Sequence, residues 1–110
     1  MNNALTDSKN PARPLIPSEA DRPGYEAALA RLASLSDAER AVIRAAVEAV
    51  LARRTVELET LSILVDCRLC ACVFRPSKEQ IDATIDVMFV ERAVRMYDRL
   101  DGIYRVRLPR

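Results

Sequence analysis

The chain contains no histidine and no tryptophan, and only two of its 110 residues are glycine. Without histidine it lacks the one side chain whose unperturbed pKa lies close to neutral pH, which removes the commonest catalytic base. Two glycines cannot build a glycine-rich phosphate loop, and neither the H-E-x-x-H nor the G-x-S-x-G motif occurs. The acids Asp82 and Asp86 are spaced like ordinary surface carboxylates near the start of a helix. We therefore expect a protein that is not an enzyme and that has no cofactor.

Long hydrophobic runs are also missing. No stretch approaches the ~18 apolar residues of a membrane-spanning helix. The start of the chain, residues 1–7, lacks the basic and apolar regions of a signal peptide. We therefore expect a cytoplasmic protein with no membrane partner. Half of the residues are hydrophobic but only 5% are aromatic, so the core must be built from alanine, valine, leucine and isoleucine, a mixture typical of helices.

The sequence divides into an arm and a domain. Residues 1–22 carry Pro11, Pro14 and Pro17 among polar residues and show no apolar period, which predicts a flexible N-terminal arm. Residues 23–110 are enough for a single domain. We expect this domain to be mainly α, a compact helical domain of about five helices with a C-terminal helix-turn-helix and one or two short β-strands.

Two capping boxes set the starts of two helices. Ser36 with Glu39, and Ser77 with Gln80, have the S-x-x-E/Q spacing in which each residue's side chain bonds the other's backbone N–H. Four helices are predicted from these boxes and from the apolar period, at 23–35, from 37 to about 52, at 56–66 and at 78–87. The apolar segment 67–74 could either finish the third helix or form a strand.

A reversal of the apolar stripe near Met88 predicts a fifth helix. Before this point Ile81 and Ile85 lie on one side of a helical wheel, and after it Ala93 and Leu100 lie on the other. One straight helix cannot bury both stripes, so we expect a break between residues 86 and 90 and a further helix at 90–101, ended by Gly102. Residues 103–108 alternate between apolar and polar and are β-prone.

The predicted core follows from these stripes. It comprises Val42, Ala46, Val50, Leu58, Leu61, Val65, Phe89, Ala93, Tyr97 and Leu100.

The C-terminal part of the chain resembles the winged helix-turn-helix superfamily. The stretch from Val90 to Val106 is similar to a recognition helix followed by a wing, and the helix before it resembles the positioning helix, so that the resemblance covers residues 77–107. It implies that Glu91, Arg92 and Arg95 face the major groove of DNA. It further implies that Arg99, Arg105 and Arg107 contact phosphates.

Two functions remain open from the sequence. Residues 92–110 hold six arginines and two aspartates, which suits a surface for nucleic acid but also an ordinary solvated helix face. The first hypothesis is a small regulatory protein that binds nucleic acid through the helix-turn-helix, as a homodimer. The second is a helical protein-binding adaptor or inhibitor, for example a mobile-element protein that blocks a host complex. The net charge of only +1 favours the second.

Three cysteines form the remaining cluster. Cys67, Cys70 and Cys72 could bind a metal if Asp66 or a second chain supplied the fourth ligand. The Cys-x-Cys pair is similar to the thiolate pair of ArsR-type metal sensors within the winged-helix family. The apolar neighbours instead predict three small buried thiols with no metal.

Overall fold

The computed structural model describes residues 21–100 and 103–109. Within them the chain is mainly helical and carries a small three-stranded sheet. The elements in chain order are α1 (Arg22–Arg31), α2 (Asp37–Val50), β1 (Val56–Glu57), α3 (Leu58–Leu69), α4 (Lys78–Val90), β2 (Arg95–Leu100) and β3 (Ile103–Arg107). Most of the predicted N-terminal arm, together with Gly102, lies outside the described residues.

Both capping boxes are confirmed. The Ser36 hydroxyl accepts a hydrogen bond from the Glu39 N–H at 3.1 Å, and the Glu39 carboxylate accepts one from the Ser36 N–H at 2.9 Å. Ser77 and Gln80 repeat the arrangement at the start of α4, with the same two distances. Each box bonds two N–H groups that the first turn leaves without a helical partner, which fixes where α2 and α4 begin.

Helix α3 resolves the ambiguity of residues 67–74. The helix continues to Leu69, and the chain then passes through a turn to Ser77 without forming a strand. A strand at 69–74 is therefore wrong. The predicted start at residue 56 is shifted by two residues because Val56 and Glu57 pair with β3 before the helix begins.

The fifth helix and the C-terminal helix-turn-helix built on it are wrong. Helix α4 runs unbroken to Val90, and the chain then reverses, with the Met88 carbonyl accepting hydrogen bonds from the N–H groups of Ala93 and Val94 at 2.8 and 3.2 Å. Arg92 takes the left-handed conformation in this turn, at φ 62. The next element is the strand β2 rather than a helix.

A β-bulge interrupts the regular alternation by which this strand could be recognised in the sequence. The pairing of β2 with β3 shifts register between Met96 and Asp98, so Tyr97 is an extra residue in the ladder. An inserted residue interrupts the two-residue alternation of a strand. The predicted break between residues 86 and 90 falls within the last turn of α4, so the stripe reversal places the end of this helix too early and does not identify the next element.

The sheet has the order β1-β3-β2 and is antiparallel throughout. The β-prone segment predicted at 103–108 is confirmed as β3. Its partners are β1 and β2, with Val56 and Met96 both opposite Val106. Val106 is fully buried, so this central strand joins the sheet to the helical core.

The core contains part of the predicted set. Ala46, Val50, Leu61 and Val65 are buried. Leu58, Phe89 and Ala93 pack against the core while partly exposed, and the side chains of Tyr97 and Leu100 lie outside the described part of the structure.

The prediction that Val42 belongs to the core is wrong. This side chain is 39% exposed because α2 turns Ile43 and Val47 inward instead. Alanines on both sides of this helix leave two possible apolar stripes, and packing selects the one with the larger side chains.

Leu61 tests the packing of α3 against the rest of the core. Its side chain is fully buried, so Leu61→Ala should lower the free energy of unfolding by about 2–5 kcal/mol through lost burial and the cavity left behind. Denaturant melts measure this. Ile63→Ala on the same helix is the matched control, because Ile63 is 60% exposed and should cost less than ~1 kcal/mol. Equal losses for the two variants would contradict the placement of this helix.

Candidate functional site

The residues predicted to contact nucleic acid do not lie on one helix. Glu91 ends α4, Arg92 lies in the turn after it, and Arg95 opens β2. Arg105 and Arg107 belong to β3. Arg99 lies in β2, and its side chain is outside the described part of the structure. Residues 90–101 therefore do not form a recognition helix. The predicted contacts of Glu91, Arg92 and Arg95 with the major groove lose the helix on which they were based.

Glu91 is wrong as a groove-facing residue because its carboxylate is bound within the fold. It accepts a hydrogen bond from Arg44 Nη1 at 2.7 Å, and the Tyr25 hydroxyl lies 3.5 Å from its other oxygen. Partial burial, together with the nearby Glu91 carboxylate, raises the pKa of Tyr25. Glu91 therefore ties the end of α4 to α1 and α2, which is a structural role.

Three of the predicted arginines share the outer face of the sheet. Arg95 is the cross-strand partner of Arg107, and Arg105 is the partner of Glu57. Because side chains alternate along a strand and Val106 points into the core, Arg105 and Arg107 lie on the opposite, outer face. Cross-strand partners share a face, so Arg95 belongs to it too. The like charges of Arg95 and Arg107 are therefore neighbours on this face, whereas Arg105 lies between Glu57 and Asp98 in the register.

A groove extends this positive surface to the loop after α2. We call it the arginine groove, with a volume of about 390 Å³. It is lined by Leu51, Arg53, Arg54, Arg107, Leu108 and Pro109. The guanidinium of Arg54 donates to the Val50 carbonyl, which holds that side chain against the end of α2. Guanidinium groups grouped in this way suit phosphate or carboxylate groups.

Sequence reasoning missed Arg53 and Arg54. They lie more than fifty residues before Arg107 along the chain, and only the pairing of β1 with β3 brings the two segments together. The available signal was an Arg-Arg pair directly before a β-prone Thr-Val.

A second groove, of opposite charge, lies between α3 and α4. We call it the acidic groove, with a volume of about 430 Å³. It is lined by Leu58, Glu59, Ser62, Ile63, Lys78, Asp82, Ile85 and Asp86. Its one lysine, Lys78, donates to Asp82 at 2.8 Å, and this bond raises the pKa of Lys78. A neighbouring hollow shares Ser62, Ile63 and Lys78 and adds the carboxylate of Asp66.

The carboxyl group of Asp86 is electrostatically perturbed in the acidic groove. Partial burial raises the pKa of its carboxyl, and the negative charge of Asp82 one turn earlier raises it further. Arg31 of α1 opposes both effects. With Glu79 also exposed, the solvent-facing strip of α4 carries three carboxylates, so this helix presents negative charge.

The three cysteines are exposed, so the prediction of buried thiols is wrong. Leu69, the last residue of α3, enters the core, whereas Cys70 and Cys72 lie in the turn beyond it. The candidate fourth ligand, Asp66, has a carboxylate oxygen 3.6 Å from Arg75. Across residues 21–100 and 103–109, no three side chains suited to a metal ion come together. No helix in that part of the chain is long and apolar enough to cross a membrane.

Comparisons of the chain with protein-family models, with curated proteins and with solved structures give no match.

Asp86 should give stability a recognisable pH dependence. Because its pKa is raised in the folded chain, the folded state holds this proton more tightly than the unfolded state. The free energy of unfolding should therefore fall as the pH rises from below 3.8 through the raised folded pKa. Asp86→Asn should remove this contribution and make the protein more stable near neutral pH.

Denaturant melts across this pH range measure the effect. Glu48→Gln, at an exposed position of α2, is the control and should leave the profile unchanged. A pH profile that is the same for Asp86→Asn and the parent chain would contradict the prediction.

The Arg44–Glu91 ion pair can be measured by a double-mutant cycle. Both side chains are about one-third exposed, so we expect a coupling energy of about 1 kcal/mol or less. The variants are Arg44→Ala, Glu91→Gln and their combination, followed by thermal or denaturant melts. Additive effects would mean that the two groups do not interact in solution.

Proposed function

We propose that the chain is a small non-enzymatic regulator with a winged-helix arrangement, and that it binds nucleic-acid phosphates through arginines of its sheet and of the loop after α2. The order helix, strand, helix, helix and β-hairpin, from α2 to β3, is that of winged helix-turn-helix proteins. The sheet order β1-β3-β2 fits the same arrangement. In this proposal α3 and α4 form the helix pair, one element earlier in the chain than the sequence suggested.

Helix α4 is not proposed to enter a DNA groove. Its solvent-facing strip carries Glu79, Asp82 and Asp86, and carboxylates are repelled by the phosphates that flank both grooves. Helix α1 also packs along α4 and covers part of it. The proposal therefore assigns backbone contacts to the arginines and no base readout to this helix.

The observation that carries the proposal is the arginine groove. Arg53 and Arg54 lie beside Arg107 there, and Arg95 is the cross-strand partner of Arg107. Guanidinium groups from three separate segments thus lie along one side of the molecule. A row of this kind suits successive phosphates, whose neutralisation releases counterions and makes binding depend steeply on salt.

Salt titrations test this proposal. Binding of a labelled DNA duplex, and of a labelled single-stranded RNA, is measured by fluorescence anisotropy at several salt concentrations. Arg53→Ala and Arg107→Ala should each weaken binding to all sequences alike and reduce the slope of log K against log salt by about one. Arg68→Ala, at an exposed position at the end of α3, is the matched control. Unchanged slopes for both groove variants would overturn the proposal.

A second candidate is the protein-binding adaptor or inhibitor. The acidic groove favours it, because carboxylates around an exposed isoleucine suit a protein partner and not a polyanion. A homodimer is proposed with either function. For a chain of this second kind, Arg53→Ala and Arg107→Ala would leave the salt dependence of any weak nucleic-acid binding unchanged.

A further inference from the structure

The acidic groove has an apolar centre that the fold itself does not cover. Ile63 is 60% exposed, although it lies on α3 between the buried residues Leu61 and Val65. Two further apolar side chains line the same groove, Leu58 partly exposed and Ile85 buried. Single hydrophobic residues scattered over a surface are normal, whereas adjoining apolar side chains mark interaction sites. Ile63 adjoins two other apolar side chains and therefore belongs to the second kind.

Carboxylates outnumber cations around this apolar centre. Glu59 lies on the α3 side, and Asp82 and Asp86 lie on the α4 side. Among the described residues that line the groove, Lys78 is the one cation, and it is bonded to Asp82. The neighbouring hollow adds Asp66. Arg31 of α1 acts on Asp86, and Arg75 lies 3.6 Å from Asp66. The lining of the groove itself nevertheless holds three carboxylates and one cation, so a ligand on Ile63 meets an excess of negative charge.

We propose that the acidic groove binds a short basic segment of a partner protein, with one apolar residue packed on Ile63 and flanking arginines or lysines facing Glu59 and Asp86. Charge complementarity selects this occupant. The same carboxylates repel nucleic acid, so this surface is separate from the one that carries the proposed phosphate binding, and no described residue lines both grooves. The volume of about 430 Å³ suits a few side chains rather than a whole domain face.

A second copy of the chain fits the groove less well. Its arginine groove lies beside the sheet and the loop after α2, so a contact between that groove of one copy and the acidic groove of another would join two different surfaces. Contacts of that kind form a closed ring only if the rotation between copies closes, and otherwise they form open filaments. A segment from another protein needs no such closure.

The test uses a displayed library of random short peptides selected against the full-length protein. Enriched peptides should share an apolar residue flanked by arginine or lysine. Their affinity should fall about tenfold or more for Ile63→Asp and for Asp86→Arg, since one variant removes the apolar anchor and the other reverses a rim charge. Both positions are exposed, and circular dichroism verifies that each variant folds.

Two matched controls separate the groove from general charge effects. Val73→Asp adds the same charge as Ile63→Asp at a fully exposed valine outside the groove, and Glu48→Arg reverses a charge on α2. Both should leave peptide affinity unchanged.

Three results would overturn the proposal. The first is enrichment of peptides without basic residues, and the second is peptide binding that survives both groove variants. The third is self-association in sedimentation experiments that is lost in Ile63→Asp and competes with the peptides, which would make a second copy the occupant. The nucleic-acid titrations are independent of each of these outcomes, because they depend on Arg53 and Arg107.

Discussion

Helix α4 packs against the three other helices of the part of the chain that the structure describes, and this placement constrains the elements around it. Ile81, Ile85 and Met88 are buried in the core, so one narrow strip of the helix is left for solvent. The chain must then leave α4 at a place where it can reach the sheet, and the Met88 carbonyl sets that exit by accepting two N–H groups. The orientation of α4 therefore decides three further features. These are the position of β2, the packing of α1 against α4 and the negative charge of the acidic groove.

Local chemistry allows the helix starts to be predicted, whereas the sheet depends on distant pairing. A capping box is complete within four residues, so Ser36 and Ser77 mark their helices without any knowledge of the fold. Strand β2 depends on β3 for its pairing and carries a bulge at Tyr97 that disguises its alternation. The pattern of β3 is recognisable because its residues alternate regularly. Its neighbour β1 is not, since that strand is two residues long and lies about fifty positions away.

The arginine groove likewise combines residues that the local sequence identifies with residues that only distant strand pairing brings together. Arg105 and Arg107 are identifiable from the basic C-terminal segment, but Arg53 and Arg54 join them only through the β1–β3 pairing. A net charge of +1 describes neither surface, because it averages an arginine-lined groove with a carboxylate-lined one. Charge separated within a small domain lets it meet two partners of opposite sign, and the sum over the sequence conceals that separation.

Arg53 and Arg92 have left-handed backbone conformations, at φ 59 and φ 62, and they are the non-glycine residues with positive φ in the part of the chain that the structure describes. A side chain with a Cβ costs roughly 1 kcal/mol in this conformation, and glycine or asparagine adopts it more readily. Arginine at these two positions is unfavourable for the left-handed backbone conformation, but it supplies a positive charge. In evolutionary terms, replacement by glycine would relieve the backbone cost at each turn but would remove a positive charge, so the two turns carry a trade-off between conformational ease and charge.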